Sequence, residues 1–233
     1  MPRLNALGQP VGDPLDVTLP RPRPDRTPMQ GTRVTIVPTD VATHAAGLFE
    51  AFGQDRGGGN WTYLPYGPFN TETAFRQWME TTCTGDDPLF HTILNGAGAA
   101  VGLASYLRID PANGMIEVGH IHLSPHLQRT AMSTEAMFLM MARVFDDLGY
   151  RRYEWKCDAL NAPSRAAAER LGFRYEGTFR QATHYKGRNR DTAWFALTDK
   201  DWPRAKAEFQ RWLNPANFDK NGGQLTPLRI LQN

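Results

Sequence analysis

Apolar and polar positions alternate with a period of two over some stretches of this chain and recur at helical spacing over others. Thr32 to Val37 reads as a strand that Pro38 stops, and Thr39-Asp40 offers a cap for a helix from Val41 to about Phe52. Thr71 caps a second helix through Phe75, Trp78 and Met79, ending near Cys83-Thr84-Gly85. Leu89 to Leu94 and Ala100 to Ile109 are strands joined by Asn95-Gly96-Ala97-Gly98, residues that tolerate the positive φ of a hairpin turn. Pro111-Ala112-Asn113-Gly114 turns the chain into a third strand, Met115 to Leu123. From Ser133 a helical pattern runs to Gly149, with Met137, Met141, Val144, Phe145 and Leu148 on one broad stripe. Arg152 to Asp158 is the next strand. Asn161 then caps a helix with Pro163 in its first turn, and Gly172 ends it as a left-handed C-cap. Phe173 to His184 and Thr192 to Thr198 form a hairpin around Lys186-Gly187-Arg188-Asn189-Arg190, and Asp201 caps a last helix, Trp202 to Trp212.

The order is β-α-α-β-β-β-α-β-α-β-β-α, with one parallel crossover after an antiparallel meander. That predicts an α/β fold in the α+β sense: a mixed, mostly antiparallel central sheet with helices on both faces. Residues 32–213 form the domain, residues 1–31 a Pro- and Arg-rich extension, and residues 214–233 a frayed tail. The extension cannot build a helix or central strand, so it is a tail or a strap across the domain.

The strand Glu117–Leu123 breaks at Ser124-Pro125-His126-Leu127 and passes through Gln128-Arg129-Thr130-Ala131-Met132-Ser133 into the long helix. A strand, a short polar turn and a helix N-terminus make an anion site, because the first helical N–H groups lack internal partners. The site suits a pyrophosphate. The antiparallel strands before it exclude the repeated βαβ layout of a dinucleotide-binding Rossmann unit.

Composition narrows the classes. No apolar run is long enough to span a bilayer and no leader opens the chain, so a soluble, cytoplasmic protein without a membrane partner is expected. Cys83 and Cys157 make neither a disulfide framework nor a zinc pattern. A net charge of +2 gives no reason to expect a nucleic-acid partner, and Arg21, Arg23 and Arg26 lack the aromatic interleaving of a nucleic-acid arm. His120, His122 and His126 have no Cys or carboxylate in a supporting motif, so no metal is expected. Trp61, Tyr63, Tyr66 and Phe69 in a Gly/Pro-rich loop either pack on the core or line a pocket. The chain is expected to be a monomer or a homodimer.

The element order, with Gln128-x-x-Ala131-x-Ser133 at the strand–helix turn, resembles the GCN5-related N-acetyltransferases (GNAT). The family pattern there is Gln/Arg-x-x-Gly/Ala-x-Gly/Ala, and Ser133 departs from it. Thr134-Glu135-Ala136, Asn161-x-x-Ser164 and Leu171-Gly172-Phe173 are similar to the RimJ/RimL-like subfamily acting on protein and peptide N-termini. The resemblance covers roughly Thr32 to Leu197 and implies acetyl-CoA as the acetyl donor. It implies pantetheine contacts from the backbone of Ile121 and Leu123, and a pyrophosphate held by Gln128, Arg129, Thr130, Ala131, Met132 and Ser133. It further implies cofactor contacts from Asn161 and Arg165, with Arg129 an alternative to Arg165 at the ribose phosphate. Many relatives place a Tyr donor where Ala168 stands, so Ser164, on the same helix face, is the candidate donor to the departing thiolate. Glu117 is the candidate base, with His120 and His122 as rivals. Trp61, Tyr63, Tyr66 and His120 would wall the acceptor, and the basic Lys186–Arg190 turn would border it.

The implied reaction is acetyl transfer to a primary amine, first an α-amine of an amino acid, peptide or protein. A small-molecule amine such as an antibiotic or polyamine is the alternative, and a non-catalytic acyl-CoA-binding module a third reading.

Overall fold

The computed structural model describes residues 3–230. Two-residue strands β1 (Arg3–Leu4) and β2 (Pro10–Val11) pair with each other near the start of the chain. An eight-stranded sheet then runs in the order β3-β4-β5-β6-β7-β8-β10-β9. Its strands are β3 (Met29–Gln30), β4 (Val34–Pro38), β5 (Leu89–Asn95), β6 (Ala100–Asp110), β7 (Met115–Leu123), β8 (Arg152–Asp158), β9 (Arg174–Tyr185) and β10 (Arg188–Thr198). All neighbours are antiparallel except β7 and β8, the crossover the sequence predicts.

Helices α1 (Val41–Gly53) and α2 (Glu72–Thr82) cover one face over a core of Leu48, Phe52, Phe75, Met79 and Phe90. Helices α3 (Ala131–Ala142), α4 (Ala162–Arg170) and α5 (Trp202–Leu213) belong to the larger core, with Ile116, Val118, Met140, Tyr153, Phe173 and Phe209. Three of the predicted caps form as expected: Asp40 accepts from Thr43 N–H, Thr71 from Ala74 N–H and Asn161 from Ser164 N–H. Asp201 sits at the start of α5 but turns its carboxylate back to the Thr198 hydroxyl, 2.7 Å away, and to Arg174.

Several boundaries differ from the sequence reading. α3 begins at Ala131 because Thr130 caps it, accepting from Ser133 N–H at 3.2 Å. After Ala142 the helix widens: Leu148 N–H bonds to Arg143 O, five residues back. The last hairpin turns on Lys186-Gly187 alone, both at positive φ, so its strands run longer than expected, and residues 180–182 of β9 stand opposite Asp191 alone at an irregularity.

The segments flanking the domain are tied down. Arg21 donates to Leu148 O (2.9 Å), Arg23 to Ile109 O and Arg26 to Thr84 O and Gly85 O, so these arginines fasten a strap. A Cβ at Gly149, φ +66°, would lie 1.5 Å from the Arg21 guanidinium. The expected frayed tail is instead ordered through residue 230. Asn217 is buried with its amide on Trp212 O and Thr226 O, and Leu228 is buried in the larger core. Gly172 adopts the expected left-handed φ, +92°, and a Cβ there would meet Ile230 at 2.8 Å.

Candidate active site

The parallel ladder between β7 and β8 ends at Val118–Trp155. Beyond it, Gly119–Leu123 keeps its bonds to β6 while its other edge has no ladder partner. A bulge drives the parting: His120 stands at φ 51°, and two residues of β7 oppose one of β6 between the Gly119–Ser105 and His122–Leu103 pairs. The strands therefore splay, and a cleft of about 1170 Å³ opens between them.

At the foot of the splay the turn before α3 forms an anion cradle. Arg129 has φ 59° and the cap Thr130 is extended (φ −107°), so the chain reverses sharply into the helix. The N–H groups of Arg129, Thr130, Ala131 and Met132 take no acceptor from the described residues. An uncompensated helix N-terminus facing a cleft fits a pyrophosphate, and the free edge of β7 fits an amide-bearing pantetheine arm. Gln128 does not reach into the cradle with its amide; it donates to Leu123 O and to Asn60 Oδ1, tying the turn to the aromatic loop.

Of the residues expected at the site, Tyr63, Glu117, His120, Ile121, Leu123, Gln128, Arg129, Thr130, Ala131, Ser133, Asn161 and Ser164 line the cleft. Four do not. Met132 packs its side chain against the larger core, leaving only its backbone for the turn. Arg165 points away, donating to Ala159 O and lying over the Tyr175 ring. Trp61 is buried in the smaller core, and Tyr66 packs against that core behind His120, with its hydroxyl 3.1 Å from His120 Nδ1. The aromatic loop thus divides: Tyr63 faces the cleft while the bulkier rings satisfy the core. Lys186 and Arg188 hold this loop down through Trp61 O (2.7 Å) and Thr62 O (2.8 Å), so the basic turn is a clasp.

Ser164 is well placed as a donor. Trp155 Nε1–H donates to Ser164 Oγ at 3.0 Å, which fills an acceptor site of the hydroxyl, and the hydroxyl in turn is within hydrogen-bond reach of the Cys157 thiol, from which it can turn to a group in the cleft. Glu117 is differently occupied from a free base. Both its oxygens lie 2.8 Å from Arg108 Nη1, and Lys156 Nζ is 2.8 Å from Oε2. Lys156 also pairs with Glu154 at 2.7 Å and lies over the Trp194 ring, and Glu154 continues to Arg152. The imidazoles stay neutral: burial pushes His120 down to about 4, helped by Arg108, and His122 down to about 3. His126 is on the surface, and no three His, Cys, Asp or Glu side chains gather as metal ligands among the described residues.

Arg108, Lys156 and Arg170 also line the cleft and were missed, and Arg190, from the basic segment expected to border the acceptor, lines it as well. The sequence carried a usable signal for Lys156: Arg152, Glu154 and Lys156 alternate in sign on one strand face, the pattern of an ion ladder.

A splayed β7–β8 pair over a helix-capped anion turn defines an acyl-CoA-dependent acyltransferase fold. The model of the acetyltransferase (GNAT) domain matches residues 33–174, and the chain belongs to that family. It is therefore an N-acetyltransferase with acetyl-CoA as donor. It is similar over 92% of its length to a GCN5-related N-acetyltransferase from Brucella melitensis (46% identity, TM-score 0.90, 97% of that chain). A GNAT-family structure from Chromobacterium violaceum matches at 40% identity over 84% of this chain and 98% of the other, with TM-score 0.78. YdaF of Bacillus subtilis (strain 168), which bears the provisional name of a ribosomal N-acetyltransferase, is 24% identical over 64% of this chain and 81% of its own. The name of YdaF is of the same kind as the RimJ/RimL-like subfamily whose motifs this sequence resembles. No helix among the described residues is long and apolar enough to cross a membrane.

Proposed function

We propose that the acceptor is the α-amine of an amino acid, peptide or protein N-terminus. One observation carries this reading: among the described residues the cleft wall around Glu117 and His120 holds no free carboxylate and no base poised near neutrality. Glu117 is held between Arg108 and Lys156, Asp158 accepts from the Tyr185 hydroxyl and Leu160 N–H, and His120 is neutral and weakly basic. An α-ammonium, with a pKa near ~8, gives up its proton to water readily at neutral pH, whereas a lysine ammonium near ~10.4 needs a base. Arg108, Lys156 and Arg190 further disfavour a polycation, which argues against polyamines and amine-rich antibiotics. The provisional ribosomal N-acetyltransferase name of YdaF is consistent with this acceptor class.

Acetyl-CoA supplies a thioester whose carbonyl an amine can attack. Ser164 donates a hydrogen bond to the departing sulfur, and the first turn of α3 holds the pyrophosphate. Glu117 is a positioning residue that keeps Lys156 and Arg108 at the wall, and water carries off the acceptor's proton. The test is thiol release with three acceptors: a peptide with a free N-terminus and no lysine, the same peptide N-terminally acetylated with one free lysine, and spermidine. Acetylation of the first, mapped to the terminus by mass spectrometry, is expected. Turnover confined to lysine or spermidine would overturn the reading.

A further inference from the structure

The cations on the cleft wall are not equally engaged. Lys156 is closed off: its side chain is 7% exposed, Nζ holds Glu117 and Glu154, and the Trp194 ring lies 3.8 Å away. Arg152 extends this ladder to Glu154 and Glu176, and Arg108 joins it by bonding Glu117 through Nη1. Arg108, Lys156 and Arg152 therefore face Glu117, Glu154 and Glu176, a network balanced within itself. Arg190 stands outside it.

Strand register sets Arg190 beside that network. Thr192 pairs with Asp158 and Trp194 with Lys156, so alternation along β10 puts Arg190, Thr192 and Trp194 on the sheet face of Lys156 and Asp158. Arg190 lines the cleft there, as do Tyr63 and Leu64 of the aromatic loop. It is partly buried, and its Nε is shut off from solvent with no hydrogen-bond partner. Among the described residues no carboxylate is within ion-pair distance of it. Asp158, on the same face, is taken up by Leu160 N–H (2.8 Å) and the Tyr185 hydroxyl (2.7 Å). The guanidinium lies 6.0 Å over the Tyr185 ring, and Lys186 and Arg188 fasten the neighbouring turn to the aromatic loop, so it stands on an anchored segment.

A partly desolvated guanidinium with an unfilled Nε calls for an anion. Nε and a terminal nitrogen form a fork that matches the two oxygens of a carboxylate, and a buried donor left unpaired is costly until such a group arrives. We propose that Arg190 receives a carboxylate of the acceptor, so that the preferred acceptors carry one close to the α-amine. That group is either the α-carboxylate of a free amino acid or the side chain of an acidic first residue of a peptide. The proposal rests on the α-amine reading of the acceptor and names the group beside the amine.

The test is thiol release by the full chain with two matched pairs of acceptors: lysine-free peptides beginning with Asp or Asn, and alanine against alaninamide. Wild type is compared with Arg190→Gln and Arg190→Lys, each shown to be folded by thermal melting. Comparing acid-to-amide ratios between enzymes cancels the differing basicity of the amines. Arg190→Gln is expected to lower the acid-to-amide ratio of kcat/KM about 10- to 100-fold in one pair, mainly through KM. Arg190→Lys, which keeps the charge and loses the fork, is expected to lower it by a smaller factor. A response in the peptide pair assigns the carboxylate to the side chain, and one in the alanine pair to the α-carboxylate. Ratios unchanged in both pairs in a folded variant, while α-amines are acetylated, overturn this proposal alone. Turnover confined to lysine or spermidine overturns the α-amine reading and this proposal with it.

Discussion

The indole N–H of Trp155 donates to Ser164 Oγ across 3.0 Å, joining strand β8 to the first turn of α4 at the wall of the donor cleft. The bond holds the serine oxygen at the cleft, where its hydrogen is shared between the Cys157 thiol and any acceptor that enters. Ser164→Ala is expected to lower kcat about 10²-fold while KM for acetyl-CoA stays within a few-fold, because the donor acts on the departing sulfur. Trp155→Phe keeps the ring and removes only the N–H, so a smaller loss is expected. Steady-state thiol release measures both, and unchanged kcat in Ser164→Ala rules out the donor role.

Glu117 is only 3% exposed and bonded to two cations. Glu117→Gln leaves Lys156 with Glu154 alone and is expected to destabilise the fold by about 3 kcal/mol, read from urea unfolding. As a positioning residue its loss lowers the rate without changing the shape of the pH–rate profile. Loss of the limb that tracks deprotonation would restore Glu117 as the base.

Buried neutral histidines make the protein acid-sensitive. Burial lowers His91 to about 4, His120 to about 4 and His122 to about 3, from 6.5. The unfolded chain thus binds more protons than the folded one below about 6.5. Stability is full above that pH and falls as pH drops through 6.5 towards 4. His122 is stacked 3.8 Å from Phe52, with Nε2 unpartnered, so His122→Phe is expected to flatten this fall. Urea midpoints at pH 7 and pH 5 measure it; an equal slope in the variant removes His122 from the account.

The strap is held by specific carbonyls. Arg21→Ala is expected to cost about 1.5–3 kcal/mol through the lost bond to Leu148 O, with no change in affinity for nucleic acid at any salt concentration. Urea unfolding and a filter-binding assay check the two halves of that expectation.

The local physics of this chain was legible in its sequence. Asp40, Thr71 and Asn161 cap the helices they precede, Asn95–Gly98 turns a hairpin, and Gly172 takes positive φ, because each depends on neighbours a few residues away. The element order followed, and with it the single parallel crossover and the anion turn at Gln128–Ser133. Where side chains point at longer range was not legible. Arg165 and Arg170 are both arginines on one short helix, yet only packing against Trp212 and Tyr175 decides which faces the cleft. Trp61 and Tyr66 went to the core because burying large rings outweighs lining an open groove. Glu117 and Lys156 meet only because β7 and β8 run in parallel register, and residues 214–230 are ordered only because the larger core accepts Leu228 and Ile230. Such pairings join residues far apart in the chain, so the tertiary structure alone decides them.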